Sequence, residues 1–326
     1  MSLKSMSNYK LSEFLRNKAK RFYPKRILFP EYYDERILKA AEIIEREKIS
    51  KCVFVADKKI NGFETIIIDE VKDRVADIYS EIKKVSREES YRAIENISIF
   101  LVSLLMGGYA DGMVSGATLP SRDLLRAALS MRKLYPGIIP ISSCFLIEIP
   151  GSPYGSDGVF VFADCALNPD PSPQILANIA NSAAKVMRYI IEKEPFVAML
   201  SYSTNGSGGE YPSIEKVRKA VSIAKEKFRD IKIDGEMQVD AALVEWVGKK
   251  KFPSSPVCGR ANVLVFPDLN SGNIAYKLVE RLCNAKAIGP IVSGLNPPIN
   301  DLSRGCSVDD IVDVCAVTVI QSNLIK

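Results

Sequence analysis

The sequence predicts an α/β protein built as two three-layer αβα domains, with mostly parallel sheets and a cleft between the domains. Three observations lead there. Short β-branched runs alternate with amphipathic helical patterns along most of the chain, the arrangement that gives parallel strands covered by helices on both faces. The 326 residues suffice for two cores, at roughly 100–200 residues per domain. Proline and glycine crowd residues 136–158 and recur at Gly294–Pro298, where neither a helix nor a central strand continues easily.

Taken in order, strands are expected at Arg26–Phe29, Cys52–Val55, Thr65–Ile68, Gly112–Ser115, Val159–Phe162, Phe196–Leu200, Ile231–Ile233, Val263–Phe266 and Ile288–Val292, all short runs rich in β-branched or aromatic residues. Helices are expected at Asp34–Glu47, Arg87–Met106, Ser121–Leu134, Pro173–Lys193, Ile214–Phe228, Val239–Val247 and Asn273–Leu282. Ser172 before Pro173 and Ser213 before Ile214 are clean helix starts. The two breaks assign residues 1–138 with 296–326 to a first, discontinuous domain and 139–295 to a second, because the last segment is too short to fold alone. Clefts between domains are frequent ligand sites.

Composition narrows the chemistry. An apolar share of 47% and a charged share of 25% are those of a globular protein. The net charge of +5 suits small acidic ligands, and its basic residues form no stripe for nucleic acid. The densest basic cluster, Arg16, Lys18, Lys20, Arg21, Lys25 and Arg26, reads as a solvated helix face. Histidine is absent, which excludes histidine triads, bases and metal ligands and leaves Asp, Glu, Lys, Tyr or Cys to move protons. Seven cysteines without a Cys-x-x-Cys pair argue against a disulfide framework or a zinc site and for a reducing, cytoplasmic setting. The longest apolar run, Ile97–Met106, is about half the ~20 residues that a membrane span needs, so no membrane association is expected.

Functional groups are densest in Asn300–Asp310, Asn-Asp-Leu-Ser-Arg-Gly-Cys-Ser-Val-Asp-Asp, just before a helical pattern carried by Ile311, Val314, Cys315 and Thr318. A helix entrance with an arginine beside it is suited to an anion. Asp310 has two readings: the acidic member of a capping box with Ser307, or a proton acceptor. Arg304 likewise either pairs with Asp301 or Asp309 or binds substrate, and the density of Ser303, Arg304, Cys306 and Asp310 favours function. A second segment, Asn262–Asn273, runs from a strand through a polar loop into a helix and offers Asp268, Asn270, Gly272 and Asn273 to a ligand or to a turn. Ser115–Thr118 with Ser121, Arg122 and Arg126 forms a third hydroxyl- and arginine-bearing helix start. Gly206–Gly209 lacks the lysine and spacing of a phosphate loop and reads as a flexible loop.

Together with Ala110–Gly116, Gly155–Gly158, Phe162–Asp170, Met199–Thr204, Asp234–Ala242, Ser255–Asn262 and Phe266–Tyr276, these segments resemble the phosphate acetyltransferases (phosphotransacetylases) from about Tyr109 to the C-terminus, and more weakly before it. The resemblance implies reversible acetyl transfer between acetyl phosphate and coenzyme A, with coenzyme A as a substrate, phosphate as the other product and no metal. It also implies a homodimer and a site in the interdomain cleft. It matches Asp310 to the family's base, Ser303 to its thiol-orienting serine, and Arg304 and Arg126 to its substrate-binding arginines. Backbone N–H groups around Gly305 and Cys306, or the Ser303 hydroxyl, would stabilise the oxyanion, and Asn270 and Asn273 would give polar contacts. Lys83 stands where the family has an arginine for coenzyme A phosphate, keeping the charge without the two-pronged fork. Ala117–Leu125 and Ala127 also depart from the family pattern, at a position that bears on the acyl pocket. A longer acyl chain such as butyryl, or a non-catalytic acyl-CoA-binding module, are the alternatives.

Overall fold

The computed structural model describes residues 10–131 and 141–324. They form two compact units, one of residues 10–11 and 141–294 and the other of 12–131 and 295–324. The expected junction at 138–139, and the helix end expected at Leu134, lie outside the described residues.

The second of these units holds a five-stranded sheet. Its chain runs α1 (Lys10–Lys20, of this unit from Ser12 on), β1 (Arg26–Phe29), α2 (Glu35–Arg46), β2 (Lys51–Ala56), β3 (Glu64–Ile67), α3 (Ile68–Lys83), α4 (Arg87–Ile94), α5 (Ile97–Met106), β4 (Gly112–Ser115) and α6 (Ser121–Met131). The central strand β1 buries Ile27, Leu28 and Phe29 completely, as a parallel strand covered on both faces must. In α2 the side chain of Asp34 accepts the backbone N–H of Arg36, and Ile37, Ala40, Ala41 and Ile44 make the buried stripe. The expected helix over Arg87–Met106 is two helices, because the Asn96 side chain caps α5 by accepting from Ser98 and Ile99.

Elements of the other unit are β5 (Ser142–Glu148), β6 (Val159–Ala163), α7 (Pro173–Lys185) with a π-helical turn at Val186–Ile190, β7 (Phe196–Leu200), α8 (Pro212–Lys227), β8 (Lys232–Met237), α9 (Val239–Leu243), α10 (Glu245–Lys251), β9 (Val263–Val265), α11 (Leu269–Leu282) and β10 (Lys286–Ser293). The sheet order is β10-β5-β6-β9-β7-β8; β6, β9, β7 and β8 are parallel, and β5 alone is reversed, antiparallel to both of its neighbours β10 and β6. Phe145, Phe160, Phe162 and Phe266 fill the core, and Tyr276 stacks on Phe145 at 4.0 Å between ring centres. Strand β5 lies inside the Pro/Gly-rich stretch expected to be a break between domains; its seven residues are all buried. The Gly206–Gly209 loop, expected to be flexible, is tied down: Ser203 Oγ and the Gly206 N–H donate to the buried Glu236 carboxylate, which also pairs with Arg218.

The chain then returns to the five-stranded sheet as β11 (Ile299–Asp301) and α12 (Val308–Leu324). That sheet has the order β11-β4-β1-β2-β3 and every pairing is parallel. Helix α12 packs on β4 and α2, and Ile311 through Gln321 are all buried, so its apolar residues run round the whole helix. Asn300 is fully buried, its amide donating to Thr318 Oγ1 and Gln321 Oε1, which fixes β11 on α12. The basic cluster is not a solvated face. Lys18 is buried, and Arg16 donates 2.7 Å to Asp313, whose carboxylate is fully buried on α12. No described helix is long and apolar enough to cross a membrane.

Candidate active site

Parallel pairing of β11, β4 and β1 as neighbours brings the connections at their carboxyl ends to one edge of the sheet. Open α/β sheets present ligand sites at that edge. Three segments meet there: Pro30–Asp34 after β1, Gly116–Pro120 after β4 and Leu302–Ser307 after β11.

The last of these is a tight turn. The Cys306 N–H donates 2.9 Å to the Ser303 carbonyl, and the Gly305 N–H lies 3.4 Å from Ser303 Oγ. Both groups expected to serve an oxyanion are therefore directed into the turn, while the side chains of Ser303 and Arg304 are exposed. Gly305 is exposed too, and a Cβ there would meet nothing within 4 Å.

At the entrance of α12, Asp310 accepts from the Ser307 N–H at 2.9 Å and from Ser307 Oγ at 2.8 Å. Ser307 Oγ in turn accepts the Asp310 N–H at 3.2 Å. This is a reciprocal capping box, and it sets the Asp310 carboxyl beside the turn in a half-buried position.

Arg36, which the sequence reading passed over, holds the turn from behind. One guanidinium nitrogen donates to the carbonyls of Arg304 (2.8 Å) and Cys306 (2.9 Å) and lies 3.8 Å from the Cys306 sulfur. The opposite edge of the same guanidinium pairs with Asp34, which lowers the Asp34 carboxyl from its usual range. The only sequence signal was an acid and an arginine two residues apart at a helix start just after a β-strand.

Cys306 is buried at 6% exposure. Burial raises its thiol to about 11, an effect that Arg36 offsets only in part. At pH 7 the thiolate fraction is then about 10⁻⁴. Replacing Cys306 by alanine is expected to leave turnover within a few-fold of wild type, and alkylation of Cys306 should accelerate only at strongly alkaline pH. Steady-state rates, with mass spectrometry of iodoacetamide-treated protein, check both.

The second segment is pinned by Glu31, also unforeseen. Its fully buried carboxylate accepts the N–H groups of Gly116 (2.9 Å), Thr118 (2.5 Å) and Leu119 (2.7 Å), with Thr118 Oγ1 at 2.9 Å. Gly116 is required at this point. Its φ is +116°, and a Cβ would lie 2.1 Å from Asp301 Oδ1.

The other expected residues lie farther out. Arg126 on α6 is exposed, with a loose 3.6 Å contact to Asp123, and lines a shallow hollow with Asn96, Ile99, Ala127 and Ser130. An exposed pair of this kind contributes about 0–1 kcal/mol, so Arg126 can turn to another anion at little cost. Lys83 ends α3 and donates 2.9 Å to the Ser130 carbonyl. Asn270 and Asn273 belong to the six-stranded unit. Asn270 is exposed on the first turn of α11, and the Asn273 amide donates 3.0 Å to the Cys165 carbonyl. Among the described residues, no group of three or more His, Cys, Asp or Glu side chains is arranged to hold a metal ion.

The family model described as phosphate acetyl/butaryl transferase matches residues 11–319. A phosphate acetyltransferase of Thermoanaerobacterium thermosaccharolyticum is 46% identical over 313 residues, covering 91% of this chain and 95% of that protein. One from Clostridium acetobutylicum is 44% identical over 317 residues, covering 91% and 94%. The crystal structure of a phosphotransacetylase from Streptococcus pyogenes aligns with a TM-score of 0.87 at 38% identity, over 98% of this chain and 100% of that one. The chain belongs to the phosphate acetyl/butaryl transferase family and is an acyltransferase.

Proposed function

We propose that the chain catalyses reversible acetyl transfer between acetyl phosphate and coenzyme A, directly and within a ternary complex. The observation that carries this reading is the turn Ser303–Cys306 set in front of α12, with the Asp310 carboxyl anchored beside it by the capping box. Coenzyme A brings a thiol of ordinary pKa near ~8.5, and a carboxylate that takes its proton during attack makes the nucleophile without histidine.

The sulfur then bonds to the carbonyl carbon of acetyl phosphate, and collapse of the tetrahedral oxyanion breaks the bond between that carbon and the phosphate oxygen; the leaving phosphate takes the proton from Asp310, which restores the carboxylate. In the reverse direction Asp310 takes the proton of the attacking phosphate, whose oxygen bonds to the thioester carbon, and the departing thiolate then receives that proton from Asp310. Because the Cys306 N–H is bonded within the turn, the oxyanion falls to side-chain donors, Ser303 Oγ and the Arg304 guanidinium. Each well-placed donor of this kind is typically worth roughly 3–4 kcal/mol. Ser303 also orients the incoming thiol, and Arg304 and Arg126 bind the phosphoryl oxygens as charged forks. Lys83, Asn270 and Asn273 are assigned to coenzyme A. Acetyl phosphate is an activated acyl donor, so these steps need no metal. The buried, protonated Cys306 thiol supports direct transfer over an acetyl-cysteine intermediate. The same reading has the chain working as a homodimer in the cytoplasm.

The family description spans acetyl and butyryl donors, whereas the curated relatives named above are acetyltransferases. Purified protein is therefore expected to form acetyl-CoA from acetyl phosphate and coenzyme A at least about tenfold more efficiently, in kcat/KM, than it forms butyryl-CoA from butyryl phosphate. Thioester formation followed at 233 nm checks this. Equal or greater efficiency with butyryl phosphate would transfer the assignment to a longer-chain acyltransferase, and no thioester from either donor would remove it.

A further inference from the structure

We infer that Glu31 is a positioning residue for acetyl phosphate, acting through the β4–α6 connection on the placement of Arg126; the inference rests on the function proposed above. The carboxylate is 0% exposed and faces a set of donors found on one short segment: the N–H groups of Gly116, Thr118 and Leu119 and the hydroxyl of Thr118. One carboxylate thus fixes three of the four residues 116–119, the whole run between the end of β4 and Pro120, which precedes α6. An acceptor-only group is what this geometry demands. One oxygen takes the Gly116 N–H while the other takes the Thr118 and Leu119 groups, and glutamine would set an NH₂ donor against an N–H donor on one side.

The segment carrying Glu31 also reaches the other loop of the site. Arg36, five residues on, grips the carbonyls of Arg304 and Cys306, and its second terminal nitrogen lies 3.5 Å from the Ala117 carbonyl. Tyr33, between the two, stands 3.0 Å from Thr118 Oγ1. Residues 31–36 therefore set the loop that opens α6 and the turn that opens α12 from one piece of backbone. Arg126 is on the second turn of α6, beyond that pinned entrance. A shift at residues 116–119 moves Arg126 while leaving Asp310 on its own helix, so binding of acetyl phosphate is affected more than the chemical step.

The test is a set of steady-state measurements on the full-length protein. Glu31→Gln is expected to raise the KM for acetyl phosphate about tenfold, with the KM for coenzyme A and kcat within threefold of wild type. Thr118→Val, which keeps every backbone donor and loses one hydroxyl, is expected to raise the same KM about threefold, and it keeps the inference testable should Glu31→Gln fail to fold. In an Arg126→Gln background, Glu31→Gln should raise that KM by less than twofold, because the positioned group is already gone. A merely structural Glu31 gives the opposite pattern: lower Vmax and thermal midpoint with the KM unchanged. That pattern, or a full tenfold KM rise on top of Arg126→Gln, overturns the inference while leaving the proposed activity intact. An inactive wild type overturns both.

Discussion

Asp310→Asn should lower kcat by about 10²–10⁴-fold, the range usual for loss of a general base, while the protein stays folded. In the structure this carboxyl caps α12, and the proposed reaction also makes it the proton acceptor. As a capping residue it accepts the Ser307 N–H and hydroxyl, and an asparagine oxygen can accept the same bonds. As a proton acceptor it needs the carboxylate charge and basicity, which the amide lacks. The asparagine variant therefore removes the second task and spares the first.

Ser307→Ala makes the complementary cut. It deletes the hydroxyl that both gives to and receives from Asp310, at a cost of about 1 kcal/mol in helix stability, and leaves the carboxylate in place. Stopped-flow or coupled assays for kcat, alongside thermal melts of both variants, separate the roles. If the asparagine protein turns over at the wild-type rate, Asp310 is a cap and nothing more. A Ser307→Ala enzyme that loses as much activity as Asp310→Asn would place the chemistry in the geometry of the cap instead of in the charge of the acid.

That Asp310 caps its helix was legible in the sequence, since a serine three residues before an acid at the start of an apolar helical run is a local signal. The strands legible in advance were those with compact apolar runs, such as β1 and β7, whose bounds follow from the sequence directly. Strand β11 was not, because Ile-Asn-Asp has no apolar run; it is held by pairing with β4 and by buried bonds from Asn300, which are tertiary events. Strand β5 was hidden because the prolines and glycines crowded into residues 136–158 read as a break between domains. Glu31 and Arg36 escaped for a related reason. Each acts on loops 80 or more positions away in sequence, and a single chain gives no signal for such a partner. The turn at Ser303–Cys306 could be found because its functional groups are contiguous, whereas the groups that hold it could be found only once β1, β4 and β11 were side by side.

The same long-range logic makes Asp313→Ala the substitution expected to cost the most stability, about 3–5 kcal/mol. Asp313 is fully buried on α12, one turn beyond Asp310, and accepts from Arg16 Nε at 2.7 Å and from Ser12 Oγ at 2.8 Å. Burial works against the Arg16 charge, but Asp313 and then Asp309 more than compensate, and the guanidinium is held above its usual range. Alanine removes the counter-charge and leaves a cation at 17% side-chain exposure with no carboxylate on its inner edge. The Arg16 terminal nitrogen keeps its contacts with Asp309, to the carbonyl at 3.3 Å and to a carboxylate 71% exposed and screened by water, and these compensate little. Urea unfolding followed by circular dichroism should show the loss as a lower midpoint in Asp313→Ala. Replacing both partners, as Arg16→Met with Asp313→Leu, should recover most of it, because an apolar pair of similar volume carries no desolvation penalty. Were the double variant no more stable than Asp313→Ala, the loss would lie in the packing of α12 against α1 and not in the unpaired charge.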